Sequence, residues 1–555
     1  MSKLRGADIL ARALAVAGAR ELFSLSGNQI MPVYDAAIDN GLRITHVRHE
    51  GAAVHMADAW GRLTGEPGLA LLTGGPGHAN GIGALYTALA SESPLVMMSG
   101  HAPLNQLGRG AFQEMAQADM ASPITKASFT ATSAKTLGDD IARAMRIARS
   151  GRPGPVHLSL PFDVLENAVE DGAGHVPLCS AFYAPVQSLS LQAAKAILAA
   201  IARAKRPLII TGPQLASSRG AALRQQLSDA TGVAVVCMES PRGIADPCLG
   251  AFGDVLPEAD LIVLAGKQPD FTLKFAAAPS VSAQCQFIVI DADINALRRS
   301  ITVLKPARVI SSYVADVPEA MRALIAAASQ SPVNTWGYTN AVSEAINYRP
   351  PSWPATTAAS AGVLHPLDIG RAVQPVLDGA DDPVFISDGG EVGQWAQACI
   401  QADTRVINGV AGSIGSAIPF AMAARVARPN ATVIATLGDG TFGFHMAEFD
   451  TASRHGLPFV AVVGNDSCWN AEYQIQLRTY GKARTIGCEL ARGTAYEQAV
   501  IALGGHGERV TQAAQLPAAL ARALKSGKPA CVNVMIERLP APNVSRVGSA
   551  GAGGH

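Results

Sequence analysis

Two carboxylates near the C-terminus stand at an interval that could do chemistry. Gly438-Asp439-Gly440 is followed by 24 residues and then by Asn465-Asp466, and each motif directly follows a short apolar run, VIATL and FVAVVG. Such runs are of the buried-strand kind, so both acids are expected at strand ends on the same edge of one sheet. With Thr441 and Ser467 alongside, they suit a hard divalent cation that takes oxygen ligands and keeps places for phosphate oxygens. GDG alone reads as a tight turn, and ND alone as the turn after a strand; the metal reading rests on the pair at this spacing. A third acid, Glu50, lies far away in the chain, where it closes ITHVRHE and leads into the helical AAVHMADAWGRLTG. Negative charge at a helix N-terminus is favourable by about 0.3 to 1 kcal/mol, which explains a Glu there without any chemistry.

The elements that must position these residues follow a βα rhythm. Short runs rich in Val, Ile and Leu end in Gly, Ser, Asp or Asn and alternate with longer Ala-rich amphipathic stretches, the pattern of strands and helices around parallel sheets. Three blocks appear: one from ELFSLSG to GPVHLSLP, one from PLIITG to FIVIDAD, and one from PVFISDGGE to ACVNVMIE. The expected fold class is α/β, with three consecutive open, mainly parallel-sheet domains at residues 1–170, 188–345 and 360–540 and a frayed tail at 541–555. Pro-bearing linkers are expected around 172–186 and 348–364. In such open sheets ligands bind just beyond the carboxyl ends of the strands, so the Gly-, Asp- and Asn-bearing tips are where function belongs.

Composition removes several classes of function. With 555 residues, 48% hydrophobic and 16% charged, the chain can bury several cores. Its 44 basic and 44 acidic residues cancel, and no basic stripe offers itself to nucleic acid. Its longest apolar runs are strand-sized, short of the roughly 20 residues of a membrane span. The start MSKLRGADIL opens a helical pattern instead of a secretory leader, so a cytoplasmic enzyme is expected. Eight cysteines without a CxxC pair read as buried reduced thiols, not as a zinc site or disulfide framework.

The paired motif resembles the metal and diphosphate signature of the thiamine-diphosphate (ThDP) enzymes of the acetolactate synthase, pyruvate oxidase and benzaldehyde lyase group. The resemblance implies that Asp439 and Asp466 are side-chain ligands of Mg²⁺, that Cys468 offers its carbonyl, and that Gly438, Gly440, Thr441 and Ser467 surround the diphosphate. Asp466 departs from the pattern, since that family usually has a second Asn there. Ser387-Asp388-Gly389-Gly390-Glu391 is similar to the loop holding the terminal phosphate, which assigns Gly390 and Glu391 to the cofactor. In Gly409 to Gly415, Gly412 resembles the part that faces the aminopyrimidine, and Ile414 the apolar wedge that keeps the cofactor bent.

Glu50 with Arg48, His49, Trp60, Gly61 and Arg62 matches the family's RHE-x-AA pattern, which implies a carboxyl hydrogen-bonded to pyrimidine N1′ that activates the cofactor. Thr73 to Asn80 resembles the GPG loop beside the pyrimidine, with Gly77 and Asn80 as contacts. Phe112-Gln113-Glu114 resembles a pocket element of the family and, together with Ser26-Gly27-Asn28-Gln29, is expected to line the reaction centre. They imply Gln113 and Gln29 at the reacting carbonyl and Asn28 and Phe112 at the substrate. Trp469, Glu472, Tyr473 and Gln476 are expected as substrate selectors on a helix and lid.

The stretch Gly266 to Lys274 with Asp291-Ala292-Asp293 resembles the acyl-CoA lyase form of the middle domain more than the Arg-rich flavin-holding form, and FAD stays open. The implied activity makes or breaks a carbon–carbon bond next to a carbonyl: acetolactate-like decarboxylation and ligation of a 2-oxo acid through an enamine, or cleavage of a 2-hydroxy ketone or 2-hydroxyacyl-CoA. A binding protein without turnover is the remaining alternative. In this family the active site lies between subunits, which implies a homodimer or a dimer of dimers.

Overall fold

The computed structural model describes residues 3–170, 176–329 and 336–546. Three parallel sheets organise them. In the first, the strands lie side by side in the order Arg43–His46, Glu21–Ser24, Gly68–Leu72, Leu95–His101, Pro155–Pro161, Ala127–Thr130. The third has Thr404–Ile407, Pro383–Ser387, Thr432–Gly438, Val460–Asn465, Ala530–Met535, His506–Val510. Numbered along the chain, both sheets run 2-1-3-4-6-5. The middle sheet, Val235–Cys237, Pro207–Thr211, Leu261–Ala265, Gln286–Asp291, Val309–Val314, runs 2-1-3-4-5. Helices cover both faces of these sheets, so central strands such as LIVLA of the middle sheet and VAVVGN of the third are buried at every position.

The apolar cores set how the domains sit. Helix Glu50–Thr64 is buried along almost its whole length, small residues included, because it lies against helix Ala417–Ala427 of the third domain. Phe23, Ala53, Met56 and Leu72 of the first domain and Phe420, Phe442 and Val463 of the third belong to one continuous core. The middle domain has cores of its own on either side of its sheet. A short antiparallel ribbon, Lys3–Arg5 with Ala168–Glu170, joins the two ends of the first domain.

Around the predicted linkers, Phe182 is buried in the first domain's core and Arg349 donates to the carbonyls of Ala398 and Cys248. Residues 171–175 and the tail beyond 546 lie outside the described residues. The segment 537–546 crosses the third domain: Trp395 Nε1 donates to the Pro540 carbonyl at 2.9 Å, and Ser545 Oγ donates to the Asp254 carboxylate at 2.9 Å. No helix among the described residues is long and apolar enough to cross a membrane.

Candidate active site

In each six-stranded sheet the chain reverses direction of winding between its first and third strands, the crevice where open α/β sheets take ligands. In the third domain this places the tip after Pro383–Ser387 beside the tip after Thr432–Gly438. A cavity of about 80 Å³ opens there, and its walls include Gly390, Glu391, Ile414, Asp439, Thr441 and Asp466. Gly438, Gly440, Cys468, Trp469 and Glu472 complete the predicted residues found on it. Gly389 has φ +93°, and a Cβ there would lie 2.7 Å from Thr441 Oγ1, so this approach of the two loops requires glycine. Trp469 lies so close over Gly440 that a Cβ would meet its ring at 2.7 Å, and the ring also meets Phe444 edge to face.

Asp439 and Asp466 line this cavity, and one carboxylate oxygen of each, Oδ2, is buried and without a hydrogen-bond partner. Burial pushes the Asp439 carboxyl up to about 6, against the pull of the Gly440 and Ser467 backbone amides. Burial and then the neighbouring Asp439 push Asp466 up to about 8. Two carboxyls held this way in a water-poor cleft want a proton or a cation between them. An oxygen-only donor pair with unused lone pairs beside glycine amides fits a hard divalent cation with a phosphate partner.

Two residues inside the quoted motifs act as supports, a role the motifs do not announce. Asn465 Oδ1 accepts from both the backbone N–H and the hydroxyl of Ser467, at 3.2 Å each, and holds Ser467 at φ +55°. That turn swings Asp466 toward Asp439. Asp388 accepts from the amides of Gly389 and Ala417 and from Ser416 Oγ, tying the phosphate-type loop to the start of helix Ala417–Ala427. The others among the predicted residues lie elsewhere. Gly412 sits against Pro241 of the middle domain, Tyr473 faces the Arg538 guanidinium at 4.9 Å, and Gln476 bonds both backbone groups of Ile486.

The first domain holds a second constellation at its own switch point. Glu50 begins its helix, capped by the His49 ring, which accepts from the Gly51 amide at 3.0 Å. Its carboxylate is buried and accepts from Asn80 Nδ2 at 3.0 Å. A Cβ at Gly77 would stand 3.2 Å from Glu50 Oε1 and 2.6 Å from Thr73, so the glycine gives the carboxylate its room. Thr73 Oγ1 donates to Gln29 Oε1 at 2.5 Å, and Gln29 Nε2 donates to Gln113 Oε1 at 2.8 Å. Gln113 has φ +57° and presses on Gly75. Glu50, Asn80, Gly77, Gln29 and Gln113 thus form one connected patch.

Asn28 and Phe112 lie exposed next to it, Phe112 at 71%. Glu114 is a loop clamp whose carboxylate accepts the amides of Gly108, Gly110 and Ala111. Gln117, not singled out in the sequence, bonds the Gly75 amide, the Gly100 carbonyl and Ser159 Oγ and so shapes the GPG turn.

No first-domain residue is on the cavity at Asp439. Within one chain the Glu50 patch and the carboxylate pair therefore do not share a pocket. A further cavity of about 390 Å³ lies where the three domains meet, with Arg149, Arg219, Arg322 and the N-terminus of helix Ser218–Thr231 on its walls. At the switch point of the middle sheet itself, Arg152 of the first domain pairs with Glu92 and with Asp291 (2.6 Å) and donates to the Gly266 carbonyl at 3.0 Å.

Residues 4–120 match the family model "Thiamine pyrophosphate enzyme, N-terminal TPP binding domain", and residues 388–534 match "Thiamine pyrophosphate enzyme, C-terminal TPP binding domain". The chain belongs to the thiamine pyrophosphate enzyme family. Its likeness to individual members runs nearly end to end. It is 30% identical to a probable acetolactate synthase of Mycobacterium bovis, over 95% of both chains. It is 27% identical to a 2-hydroxyacyl-CoA lyase of Oryza sativa over 96% of both, and 28% identical to 2-hydroxyacyl-CoA lyase 2 of Homo sapiens over 96% of this chain and 90% of that one. The expected family and the three-domain α/β fold are borne out.

Proposed function

We propose that the protein is a ThDP- and divalent-metal-dependent enzyme that makes or breaks a carbon–carbon bond next to a carbonyl, with an acetolactate-type reaction on a 2-oxo acid as the first reading. The observation that carries it is the buried Asp439–Asp466 pair, with its two unpartnered oxygens, opposite the Gly389-Gly390 loop. When bound, ThDP supplies an electron sink for the pair of electrons left by the broken bond. Asp439, Asp466 and the Cys468 carbonyl would hold the metal, the loop amides and Thr441 the diphosphate, and Ile414 the cofactor's bend.

Glu50, kept out of water and oriented by Asn80, would share a proton with the pyrimidine ring nitrogen. Gln29 and Gln113 would hydrogen-bond the oxygen of the reacting carbonyl as negative charge builds on it. Trp469 and Glu472 border the space left for the substrate. The Glu50 patch and the metal cavity lie apart in one chain, and Phe112 and Phe444 stand exposed beside them (71% and 54%). This arrangement supports a homodimer in which one protomer's first domain completes its partner's third, with a tetramer as a pair of such dimers. Arg152, by filling the middle sheet's crevice, favours a middle domain that works without FAD, which the visible spectrum of the pure protein checks.

A 2-hydroxyacyl-CoA lyase reading is favoured by the three-domain cavity. Arg149 pairs through Nη2 with Glu66 at 3.0 Å but leaves Nε and Nη1 buried without an acceptor, and with Arg219 and Arg322 on the same walls it suits the phosphates of a coenzyme A thioester. Incubation with pyruvate, a 2-hydroxyacyl-CoA and benzoin, each with ThDP and Mg²⁺, separates these readings from a benzaldehyde-lyase type. Acetolactate formed from pyruvate supports the first; turnover of the thioester or of benzoin alone replaces it. ThDP uptake with no product from any donor, unchanged in Glu50→Gln, would leave a binding protein.

A further inference from the structure

We propose that Asp466 lets this chain take up its divalent cation on its own, before any diphosphate is bound. The inference rests on reading Asp439 and Asp466 as the metal ligands of the site described above, and it goes further by fixing the order in which that site fills.

Gly438 and Gly464 are register partners on adjacent parallel strands, so the two acids leave neighbouring strand ends at nearly the same height. Asp439 is 2% exposed, and its Oδ2, like that of Asp466, has no hydrogen-bond partner. Asp466 is aimed by the Asn465–Ser467 turn, which costs nothing further when the ion arrives. Glu489 and Leu490 pin that turn from outside, through the Cys468–Glu489 bridge and the Leu490 amide on the Ser467 carbonyl at 2.9 Å.

Neither Asp439 nor Asp466 has an ion-pair partner among the described residues. Arg538 comes near, but its guanidinium is engaged by Glu489 at 2.7 and 2.9 Å, stacks over Tyr473, and reaches only the carbonyls of Asp466 and Ser467, at 3.2 and 3.3 Å. The protein therefore supplies two carboxyl groups that would bind a cation as carboxylates, with the Glu489-paired Arg538 acting on them only from a distance and no cation among the described residues paired to either. A single carboxylate beside a neutral amide would leave a divalent cation half compensated and dependent on phosphate oxygens. Two carboxylates compensate it fully, and ligand charge count is a main determinant of divalent-cation affinity. The second carboxylate has an opposite consequence for the diphosphate, which then meets a neutral metal centre instead of a positive one. The mutual help that metal and diphosphate give each other, which linkage makes equal in both directions, should accordingly be smaller here than in an Asp466→Asn variant.

The test uses the full-length protein stripped of ThDP, titrated with Mn²⁺ and read by the loss of the free-ion electron paramagnetic resonance signal. The wild type is expected to hold one Mn²⁺ per chain without ThDP, and Asp466→Asn to hold it at least roughly tenfold more weakly, on the charge-count argument. Adding ThDP should tighten Mn²⁺ by a larger factor in the variant than in the wild type. Absence of stoichiometric Mn²⁺ in the wild type, or equal affinity in the two proteins, overturns the proposal. The wild-type titration alone decides the first point, whatever the variant's fold. Mn²⁺ held alone but no ThDP uptake would sink the cofactor reading and leave this one standing. ThDP taken up together with Mn²⁺, but no Mn²⁺ held alone, would do the reverse.

Discussion

Gly389 carries the close approach of two loops that no other residue type permits. With φ at +93° and Thr441 Oγ1 2.7 Å from where a Cβ would be, Gly389→Ala strains the backbone by about 1 to 3 kcal/mol. It is expected to raise the Kd for ThDP at least tenfold by calorimetry, whereas Gly443→Ala, an exposed helical position with nothing near its Cβ, should be neutral or stabilising by about 0.5 to 1 kcal/mol. Asp439 and Asp466 were legible in the sequence because strand ends are encoded locally, by an apolar run and the turn that stops it. Gln117 was not, and of Asn465 and Asp388 the motifs gave the position but not the supporting role. Gln117 acts on Gly75, 42 residues away, and nothing in the residues around it marks that contact. Tyr473 and Gln476 lie off this cavity, against Arg538 and Ile486, since a helix following the metal loop turns only part of its surface to it, and Trp469 and Glu472 occupy that part.

Helix Glu50–Thr64 does two jobs that the sequence joined only in part. Its first residue belongs to the Glu50 patch, and its body packs on helix Ala417–Ala427, which explains why its small residues are buried on every side. His49, His55 and His445 meet edge to face along this seam, with His445 Nδ1 2.6 Å from the Gly415 carbonyl. Burial pushes His445 down to about 4 from the usual 6.5. The unfolded chain then takes up this proton first as the pH falls. The contribution of neutral His445 is therefore complete above about 6.5 and is lost progressively as the pH drops toward 4. His445→Gln should flatten that part of the stability profile, measured as the difference in urea midpoint between pH 7.5 and pH 5. An unchanged slope in the variant would show that this ring is not the group responsible. The helical pattern was readable from the sequence, but its neighbour was not, because burial on all sides leaves no polar stripe to say which face meets which domain.

Across the whole molecule the three sheets were legible from their strand runs, and the shared winding order follows from short right-handed βα connections. The seams between domains were not legible, since they depend on single side chains such as Arg152, which leaves the first domain to pair with Asp291 of the middle one. Arg152→Ala would take from buried Glu92 and Asp291 the one cation paired directly with both, leaving Glu92 only the more distant Lys267, and a loss of about 3 to 5 kcal/mol is expected from denaturant unfolding. A loss below about 1 kcal/mol would mean that the seam is held by packing alone.

The apolar core that runs unbroken from Phe23 to Phe420 has a thermal consequence. Heating cannot open one of those lobes and spare the other, while the middle lobe keeps separate cores. A scanning calorimeter should accordingly record two endotherms for three lobes, the larger belonging to the outer pair together.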